Sequence, residues 1–545
     1  MINGPGESLP SALSPRSRLW LGVSLFVAAL QGFHAICYPI ARDQATYLYI
    51  GQRLWDGKQL YRDVWDIKPP EIFYLYAVIV KIFGDVMWSV GLVDIIWLLI
   101  VSCFIFKFAE RQLGTSPAVV AVVLHAAARR WLGYWDAAQP ENFLILFVFA
   151  AYFLSSYKGR LSWVCDLLSG MFFAAAFWVK YNAVAFVPMV LVLPYLDFTP
   201  LARDAGLPRF TLSGREWIKR SGFWAAGFAG VAMVVVGYLA WVGAWPAMHE
   251  SQFVILPRHN AMVIENSRSY WLLVYRNIGV AFGWWSLLVA AVAILVARRT
   301  RDFSATLPVF LATAIGVLCT AMQARLPTYA FETCYPFFAM LGGYLAVKIF
   351  QAFRRISRQC WGRGWRLAAI LVWIVFANLA YLPLPDAAMQ CKLDLNDLEA
   401  WWHNRDTFYR NYPWARRISQ FDGQMHVIEY LRQNSGPQDG VYIWGTQALI
   451  YFRAHRNPPT RFVVNLDLTS LWTPPSWRRE LVRSLEAAPP KYIVVVRNDG
   501  ERIVPFNFPD SDVYLRQRYP ALLEFVTSYY QKVDDYQDFA IYRHD

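Results

Sequence analysis

The chain has 545 residues, of which 57% are hydrophobic, 17% aromatic and 17% charged. This composition is too apolar for soluble domains of this total length, and it predicts a membrane protein. The formal net charge of +13 would suit a nucleic-acid partner, but most lysines and arginines before the last part of the chain lie in short clusters between apolar runs. Such clusters are typical topology signals. We therefore expect contacts with membrane lipids and none with nucleic acid.

Eleven apolar segments are predicted to span the membrane, since about 20 apolar residues cross the hydrocarbon core. They are residues 19–38, 86–106, 115–131, 141–157, 163–179, 181–197, 222–244, 271–297, 305–323, 333–350 and 366–384. With residues 1–18 as a cytoplasmic segment, nearly all basic clusters fall in cytoplasmic loops, as the positive-inside rule requires. Arg129 and Arg130 fall on the outer side and are the exception. The pattern predicts a multi-pass membrane protein, with a membrane domain at 19–384.

The apolar segment PPEIFYLYAVIVKIFG (69–84) is a tempting further span. Counting it would move the later basic clusters to the outer side, against the positive-inside rule. We therefore predict a re-entrant or interfacial helix here, within a first outer loop at 39–85.

The last part of the chain, 385–545, has a different pattern. GVYIWGT (440–446), TRFVVNL (460–466), KYIVVVRN (491–498) and DFAIYRHD (538–545) are predicted strands, separated by helical stretches such as MHVIEYLRQN and PPSWRRELVRSLEAA. Alternating strands and helices predict a soluble α/β domain. The number of spans places this domain on the same extracytoplasmic face as the first outer loop.

The stretch RDQATYLYIGQRLWDGKQLYRDVWDIKPPE (42–71) crowds charged and aromatic residues directly after the first span. A wet loop with aromatic residues at the headgroup level explains this composition as well as a reaction site does. Asp43 is thus either a solvated loop residue or a catalytic carboxylate. Lys68 precedes two prolines, which impose an extended turn, and it is either a snorkelling lysine or a phosphate contact.

Two other charges at span ends have similar alternatives. Lys180 lies at a tight outer turn and is either solvated or functional. Glu141 begins a span, where a carboxylate also complements the positive end of the helix dipole. The seven cysteines include no CxxC pair and no Cys/His spacing suited to zinc. We therefore identify no metal-binding residues and expect no required cofactor, while the use of a divalent metal stays open.

The 42–71 stretch resembles the first outer loop of GT-C superfamily membrane glycosyltransferases. More narrowly, it is similar to bacterial family 39 proteins related to protein O-mannosyltransferases and to the aminoarabinose transferase of lipid A. These have an acidic pair after the first helix, then a Tyr, a Gly, a YRD and a KPP, in the order found here. A weaker resemblance through QPENFLILF, FWVKYNAVAFVPMVLVLPYL and RLPTYAFETCYPFFAML extends it over roughly residues 20–350. The resemblance implies a polytopic α-helical GT-C fold in a bacterial inner (cytoplasmic) membrane.

The resemblance also implies a reaction, the transfer of a hexose or pentose from a polyprenyl-phosphate carrier to a lipid, glycan or protein acceptor, with inversion at the anomeric carbon. Asp43 would be the general base that takes the proton of the attacking hydroxyl. Lys68 would stabilise the leaving phosphate. Lys180 and Arg325 would assist it. The further substrate-binding candidates are Arg42, Tyr47, Tyr61, Asp63, Glu141 and Tyr329.

Two departures from the family pattern bear on these roles. Gln44 stands where the family often has the second acid of the pair, and Ala330 stands where it often has a histidine. Both changes weaken inferences about the acceptor and about a carboxylate pair that holds a metal. Asp43 and Lys68 remain in place.

Three other functions compete with this one. A transporter or flippase of lipid-linked glycans would also carry intramembrane charges, but the spans show no inverted repeat and the charges gather at one face. A GT-C glycan polymerase or ligase is not distinguished by the sequence. A structural or chaperone role would reside in the C-terminal domain, which we expect instead to cap the site or to help select the acceptor.

Overall fold

The computed structural model describes residues 13–198, 208–265, 272, 283–323, 327–360, 384–413, 415, 420–470, 472–499 and 510–545. The chain divides into two compact units. Unit 1 comprises residues 1–35, 92–235 and 274–394, and unit 2 comprises residues 36–91, 236–273 and 395–545. The predicted span at 366–384 lies almost wholly outside the described residues.

Most of the described chain is helical, which confirms the predicted fold class. In chain order the helices are α1 (Pro15–Gly32), α2 (Arg42–Trp55), α3 (Glu71–Phe83), α4 (Ser89–Leu113), α5 (Thr115–Leu132), α6 (Pro140–Ser155), α7 (Ser162–Val179), α8 (Val187–Leu191), α9 (Gly214–Trp241), α10 (Trp245–His249), α11 (Leu256–Glu265), α12 (Gly283–Arg299), α13 (Phe303–Ala321), α14 (Tyr335–Cys360), α15 (Leu384–His403), α16 (Arg405–Arg410), α17 (Phe421–Asn434), α18 (Ala448–Ala454), α19 (Leu466–Thr469), α20 (Pro475–Ala487), α21 (Ser511–Arg518) and α22 (Pro520–Tyr529). Within the described residues, 6 helical segments are long and apolar enough to cross a membrane. They are α1 continued to Cys37, α4, α7, α9, α13 and the first part of α14.

Unit 1 packs its long helices closely by means of small residues, as is common for helices in membranes. A Cβ atom on Gly343 of α14 would lie 2.5 Å from the carbonyl oxygen of Pro117 on α5. A Cβ atom on Gly227 of α9 would lie 2.0 Å from the carbonyl oxygen of Leu167 on α7. These two glycines let the helix backbones meet, so larger residues at either position would separate the helices.

The predicted span at 181–197 is not one continuous helix. A 3₁₀ helix at Tyr181–Phe186 leads into the single turn of α8, and a second 3₁₀ helix follows at Leu193–Tyr195. Pro188 and Pro194 lack the backbone N–H that a continuous helix needs at those positions. Strand β1 (Leu196–Asp197) then pairs with β2 (Arg209–Phe210) in a short antiparallel hairpin.

In unit 2, the stretch predicted as a possible wet loop begins with helix α2. Residues 44–51 of this helix are buried, so only its ends carry the charges that suggested a loop. Helix α3 follows the two prolines and has 13 residues, which gives it a length of about 20 Å, too short to cross the hydrocarbon core. A Cβ atom on Gly51 would lie 2.7 Å from the backbone nitrogen of Ala77, so α2 and α3 meet at this glycine.

The last part of unit 2 contains a four-stranded sheet in the order β3 (Val441–Trp444), β4 (Tyr492–Val496), β6 (Phe539–His544) and β5 (Tyr530–Tyr536). Strands β3 and β4 are parallel, in register Val441 to Tyr492, while β6 pairs antiparallel with both of its neighbours. Both parallel strands are buried along their whole length. The predicted α/β fold of this part is therefore present.

Two details of the strand prediction were wrong. The predicted strand at 460–466 is not in the sheet, because residues there form bends and Phe462 makes a single bridge to Trp65. Strand β5 was missed, since an edge strand with one exposed face can be as polar as YQKVDDY.

Candidate active site

Asp43 lies in the first turn of α2, where the positive end of the helix dipole favours a carboxylate. Its Oδ1 atom is 3.6 Å from Nε of Arg42, and both side chains are mostly buried. The helix holds Asp43 in a fixed position, whereas a flexible loop would not. Tyr47 follows one turn later on the same helix face, since residues four apart in a helix are neighbours.

Lys68 is brought to that same helix face by the turn that precedes the two prolines. Tyr61 adopts a left-handed backbone conformation with φ of 67°, and its hydroxyl donates to the carbonyl oxygen of Lys68 at 2.7 Å. The Lys68 backbone N–H donates to Oδ1 of Asp66 at 2.9 Å. The Lys68 ammonium lies 5.0 Å from the ring centroid of Tyr47. The structure therefore places Lys68 beside Tyr47, one helical turn from Asp43.

Asp63 and Arg62 shape this turn from its exposed side. The guanidinium of Arg62 binds both carboxylate oxygens of Asp63 at 2.9 Å, and the backbone N–H of Gln59 also donates to Asp63. The hydrogen bond from Arg62 holds the pKa of Asp63 below its ordinary value. Arg62 also donates to the carbonyl oxygen of Val242 at 2.6 Å. These contacts give Asp63 a role in the shape of the turn.

Three further residues lie near Lys68 and are not among the site residues predicted from the sequence. Gln252 donates to the carbonyl oxygens of Ile67 and Lys68 at 3.0 and 3.3 Å. Asp66 and Asp467 both interact electrostatically with Lys68. Asp66 lies within the quoted stretch and its charge was a usable signal, but Gln252 and Asp467 are far away in the chain and carried no local signal.

Burial raises the pKa of Asp66, an effect that Lys68 opposes and Asp43 reinforces. Burial also raises the pKa of Asp467 well above its ordinary value, reinforced by Asp66 and opposed by Lys68 and Arg461. Asp66 is thus within electrostatic range of Asp43, Lys68 and Asp467. Within the described residues, no group of three or more His, Cys, Asp or Glu side chains has the geometry of a metal site.

The other predicted charges belong to unit 1. Lys180 forms an ion pair with Glu141, whose side chain is fully buried, and donates to Oε1 of Gln323 at 2.6 Å. The Lys180 ammonium also lies 5.8 Å from the ring centroid of Tyr329. The structure therefore brings the predicted residues Lys180, Glu141 and Tyr329 together. Lys180 neutralises the buried carboxylate of Glu141. Arg325 lies outside the described residues.

Arg129 and Arg130, which were exceptions to the positive-inside rule, are neutralised within unit 1. Arg129 pairs with Asp94 and Glu332 and also donates to Asn142. Arg130 pairs with Asp394. Because both arginines are compensated by carboxylates, their position does not contradict the predicted topology. Asp94 could have indicated this pairing from the sequence, since a charged residue within an apolar segment requires a partner.

A family model described as "Dolichyl-phosphate-mannose-protein mannosyltransferase" matches residues 67–241, less than half of the chain. The matched range begins next to Lys68 and includes Glu141 and Lys180. No curated protein sequence matches the chain.

Solved structures share the fold over nearly the whole chain. ArnT from Cupriavidus metallidurans bound to undecaprenyl phosphate has 14% sequence identity and a TM-score of 0.52, with 97% of this chain and 98% of that chain covered. The apo state of ArnT has a TM-score of 0.53 at 14% identity, covering 96% and 97%. The Archaeoglobus fulgidus oligosaccharyltransferase tethered with an acceptor peptide gives a lower TM-score of 0.48 at 12% identity, covering 88% and 69%. At these identities the likeness to ArnT shows a common fold.

Proposed function

We propose that the chain is a membrane glycosyltransferase of the GT-C superfamily and that it transfers a sugar from a polyprenyl-phosphate donor to an acceptor hydroxyl; the matched family model and the fold shared with ArnT support this proposal. The observation that carries this proposal is the position of Lys68 beside Tyr47, one helical turn from Asp43. A carboxylate and a cation at this spacing can act in one transfer reaction, the carboxylate on the attacking hydroxyl and the cation on the leaving phosphate. The undecaprenyl phosphate bound to ArnT supports the same class of donor.

Asp43 is the general base in this proposal. A hydroxyl is a poor nucleophile until its proton is removed as it attacks, and a positioned base typically contributes about 10²- to 10⁴-fold. The sugar's anomeric carbon then bonds to the acceptor oxygen, and its bond to the phosphate oxygen breaks. Direct attack inverts the configuration at that carbon.

Lys68 stabilises the negative charge that develops on the leaving phosphate. Among the described residues the Lys68 ammonium makes no salt bridge within 4.0 Å, although acidic residues lie further away. Its charge is therefore available to a ligand. Tyr47 contacts the cation through its ring, and Tyr61 and Gln252 fix the backbone from which the side chain leaves.

The donor role of Lys68 is tested by three variants assayed with one lipid-phosphate sugar. Lys68→Ala should lose most donor use, whereas Lys68→Arg should keep part of it, because the charge remains and only the compact ammonium geometry is lost. Lys81→Ala is the matched control, since Lys81 also lies over an aromatic ring, that of Trp55, but is exposed. Equal turnover by wild type and Lys68→Ala would refute the assignment.

We also propose that the first outer loop, 39–85, and residues 385–545 lie on the extracytoplasmic face of a bacterial inner membrane. The positions of the basic clusters support this orientation. A reporter enzyme that is active only outside the cytoplasm, fused after Asp545, should be active. A stable but inactive fusion would contradict the orientation.

The acceptor is a lipid, a glycan or a protein, and comparison of envelope components with and without the protein identifies which. Mass analysis should reveal one component that loses a hexose or pentose when the protein is absent. We expect no required cofactor, since lysine can neutralise a monophosphate, so chelation of divalent metals should leave transfer unchanged.

A further inference from the structure

The turn that carries Lys68 is followed by two prolines, and this sequence removes two backbone donors. Pro69 and Pro70 have no backbone N–H, so neither can donate to a carbonyl oxygen earlier in the turn. A carbonyl group that folding removes from water needs another hydrogen-bond partner. The carbonyl groups of Asp66, Ile67 and Lys68 therefore depend on donors from elsewhere in the chain.

Those donors include two consecutive side chains, Ser251 and Gln252. The Ser251 hydroxyl donates to the carbonyl oxygen of Asp66 at 3.1 Å. The Gln252 amide nitrogen donates to the carbonyl oxygens of Ile67 and Lys68 at 3.0 and 3.3 Å. Side chains that lie 184 or 185 residues later in the chain thus bind three consecutive carbonyl groups of the Lys68 turn.

Both side chains belong to a π-helical turn, Glu250–Ile255, which lies between α10 and α11. Such turns are rare and are often found at functional sites. This π turn is itself anchored to the C-terminal part of unit 2. Nε1 of Trp477 donates to Oε1 of Glu250 at 3.3 Å, and Nη1 of Arg461 lies 4.0 Å from Oε2. The π turn therefore holds the Lys68 turn from a fixed position.

The two carbonyl oxygens that Gln252 binds also determine how its amide group is oriented. A backbone carbonyl oxygen can only accept a hydrogen bond, so the amide nitrogen has to face it. The amide oxygen, Oε1, is buried and has no hydrogen-bond partner among the described residues. An unpaired buried acceptor is unfavourable. A glutamine is therefore a poor choice for stability here, and its use indicates that the two donated hydrogen bonds serve the site.

We propose that the π turn is a positioning element of the phosphate site, in which Ser251 and Gln252 hold the backbone of Lys68 where its ammonium binds the donor phosphate. This inference rests on the proposed function, in which Lys68 binds that phosphate. Without these hydrogen bonds the lysine would occupy more positions in the free protein, and binding would have to order it. Both side chains act through Lys68 and are not assigned a contact with the substrate.

The test is the affinity of the full-length protein for undecaprenyl phosphate in detergent, measured together with the number of binding sites per protein. Gln252→Met keeps the length of the side chain and removes both the donors and the unpaired acceptor. Its Kd should be about tenfold higher than that of wild type, as expected for the loss of one or two hydrogen bonds. A merely structural role would instead lower the number of sites and leave the Kd of the folded molecules unchanged.

Gln420→Met is the matched control. The Gln420 amide nitrogen likewise donates to a backbone carbonyl oxygen, that of Arg497, at 3.0 Å, and to Oδ2 of Asp538 at 2.7 Å. This substitution removes a similar hold on the backbone in a contact that involves neither the π turn nor the Lys68 turn. Its Kd should equal that of wild type.

Ser251→Ala tests the proposal if Gln252→Met does not fold. It removes the one hydrogen bond to the Asp66 carbonyl and only a single side-chain oxygen. Its Kd should rise about threefold, because one neutral hydrogen bond is lost two residues before Lys68. A wild-type Kd in Ser251→Ala would then overturn the proposal.

A double-variant cycle shows whether Gln252 acts through Lys68. In the Lys68→Ala background, Gln252→Met should cause no further loss of affinity, because the group that it positions is absent. An equal loss of affinity in both backgrounds would mean that Gln252 affects binding by another route, and the positioning role would be wrong.

The outcomes separate the two proposals. A wild-type Kd in Gln252→Met, together with weakened binding in Lys68→Ala, would overturn the role of the π turn and leave the proposed function intact. Unchanged binding by Lys68→Ala would instead refute the phosphate role of Lys68, on which this inference depends.

Discussion

Lys68 in unit 2 differs from the buried cations of unit 1 in its partners. In unit 1, Arg129 has two carboxylate partners, Arg220 binds Asp166, and Lys180 binds Glu141. In unit 2, the described residues give Lys68 an aromatic ring and no salt bridge within 4.0 Å. A buried cation with carboxylate partners maintains the fold, and removing it strands those partners. A cation without close anionic partners is available to a ligand. We expect this difference to separate the charges that maintain the fold from the charge that binds the donor in the proposed function.

The largest effect should follow from Arg129→Met. The substitution would leave Asp94 and Glu332 buried without their cation, and breaking a buried pair in this way typically costs about 3–5 kcal/mol. The temperature of inactivation in detergent should fall sharply, with activity lost in parallel. Arg516→Ala removes an exposed pair with Asp512 and should change little. An Arg129→Met protein that is as stable as wild type and has lost only activity would contradict the structural role of Arg129.

Lys180 tests whether a paired cation can also be functional. Lys180→Met should destabilise the protein by leaving Glu141 unpaired, and the double variant Lys180→Met with Glu141→Gln should recover most of that stability. If Lys180 is structural, donor affinity should recover along with stability. Donor affinity that stays low in the stable double variant would show that Lys180 also contacts the donor phosphate.

Asp499 extends the comparison to a buried carboxyl group in unit 2. It accepts hydrogen bonds from the backbone and hydroxyl of Ser511 and from the backbone of Thr446, yet burial raises its pKa to about 6. The folded state therefore keeps this proton when the unfolded state has lost it, and stability falls as pH rises from about 4 to about 6. Asp499→Asn should flatten that part of the stability profile by about 3 kcal/mol. An unchanged pH profile would contradict the assignment.

Asp85 should show the opposite pH dependence and a smaller effect. A hydrogen bond with His455 and the charges of Arg453 and Arg432 lower its pKa to about 2. Its contribution is complete above the unfolded pKa, near 4, and is lost as pH falls toward 2. Because the group is half exposed, the loss should be about 1 kcal/mol. Unfolding between pH 5 and pH 2 of Asp85→Asn and wild type measures it, and equal acid sensitivity would show that the pair contributes nothing.

Local patterns predicted the helical membrane fold and the α/β domain, because apolar runs and buried strands such as YIVVV have a composition that few other structures share. Local patterns failed where tertiary contacts decide the structure. Helix α2 was described as a possible loop because its charged ends outweighed the buried stretch at 44–51. Phe462 lies in a β-like sequence but packs against Trp477 at 5.4 Å and joins no sheet.

For the candidate site, too, the sequence predicted the residues of one local stretch and not those that tertiary contacts bring to it. Asp43 and Lys68 came from one continuous stretch with a specific resemblance. Gln252, which is 184 residues from Lys68, and the more distant Asp467 come near Lys68 only through folding, so no window of sequence could connect them. The sequence likewise did not predict that Lys180 pairs with Glu141, although each of the two residues is a candidate for its own position at a span end.

The most direct test of the account is single-turnover sugar transfer by Asp43→Asn with a matched donor and acceptor. The substitution keeps the size of the side chain and removes its ability to take a proton. Donor affinity should stay near that of wild type, while the chemical step should slow by about 10²- to 10⁴-fold. A chemical step within a few-fold of wild type would show that Asp43 is not the general base and would contradict the central claim.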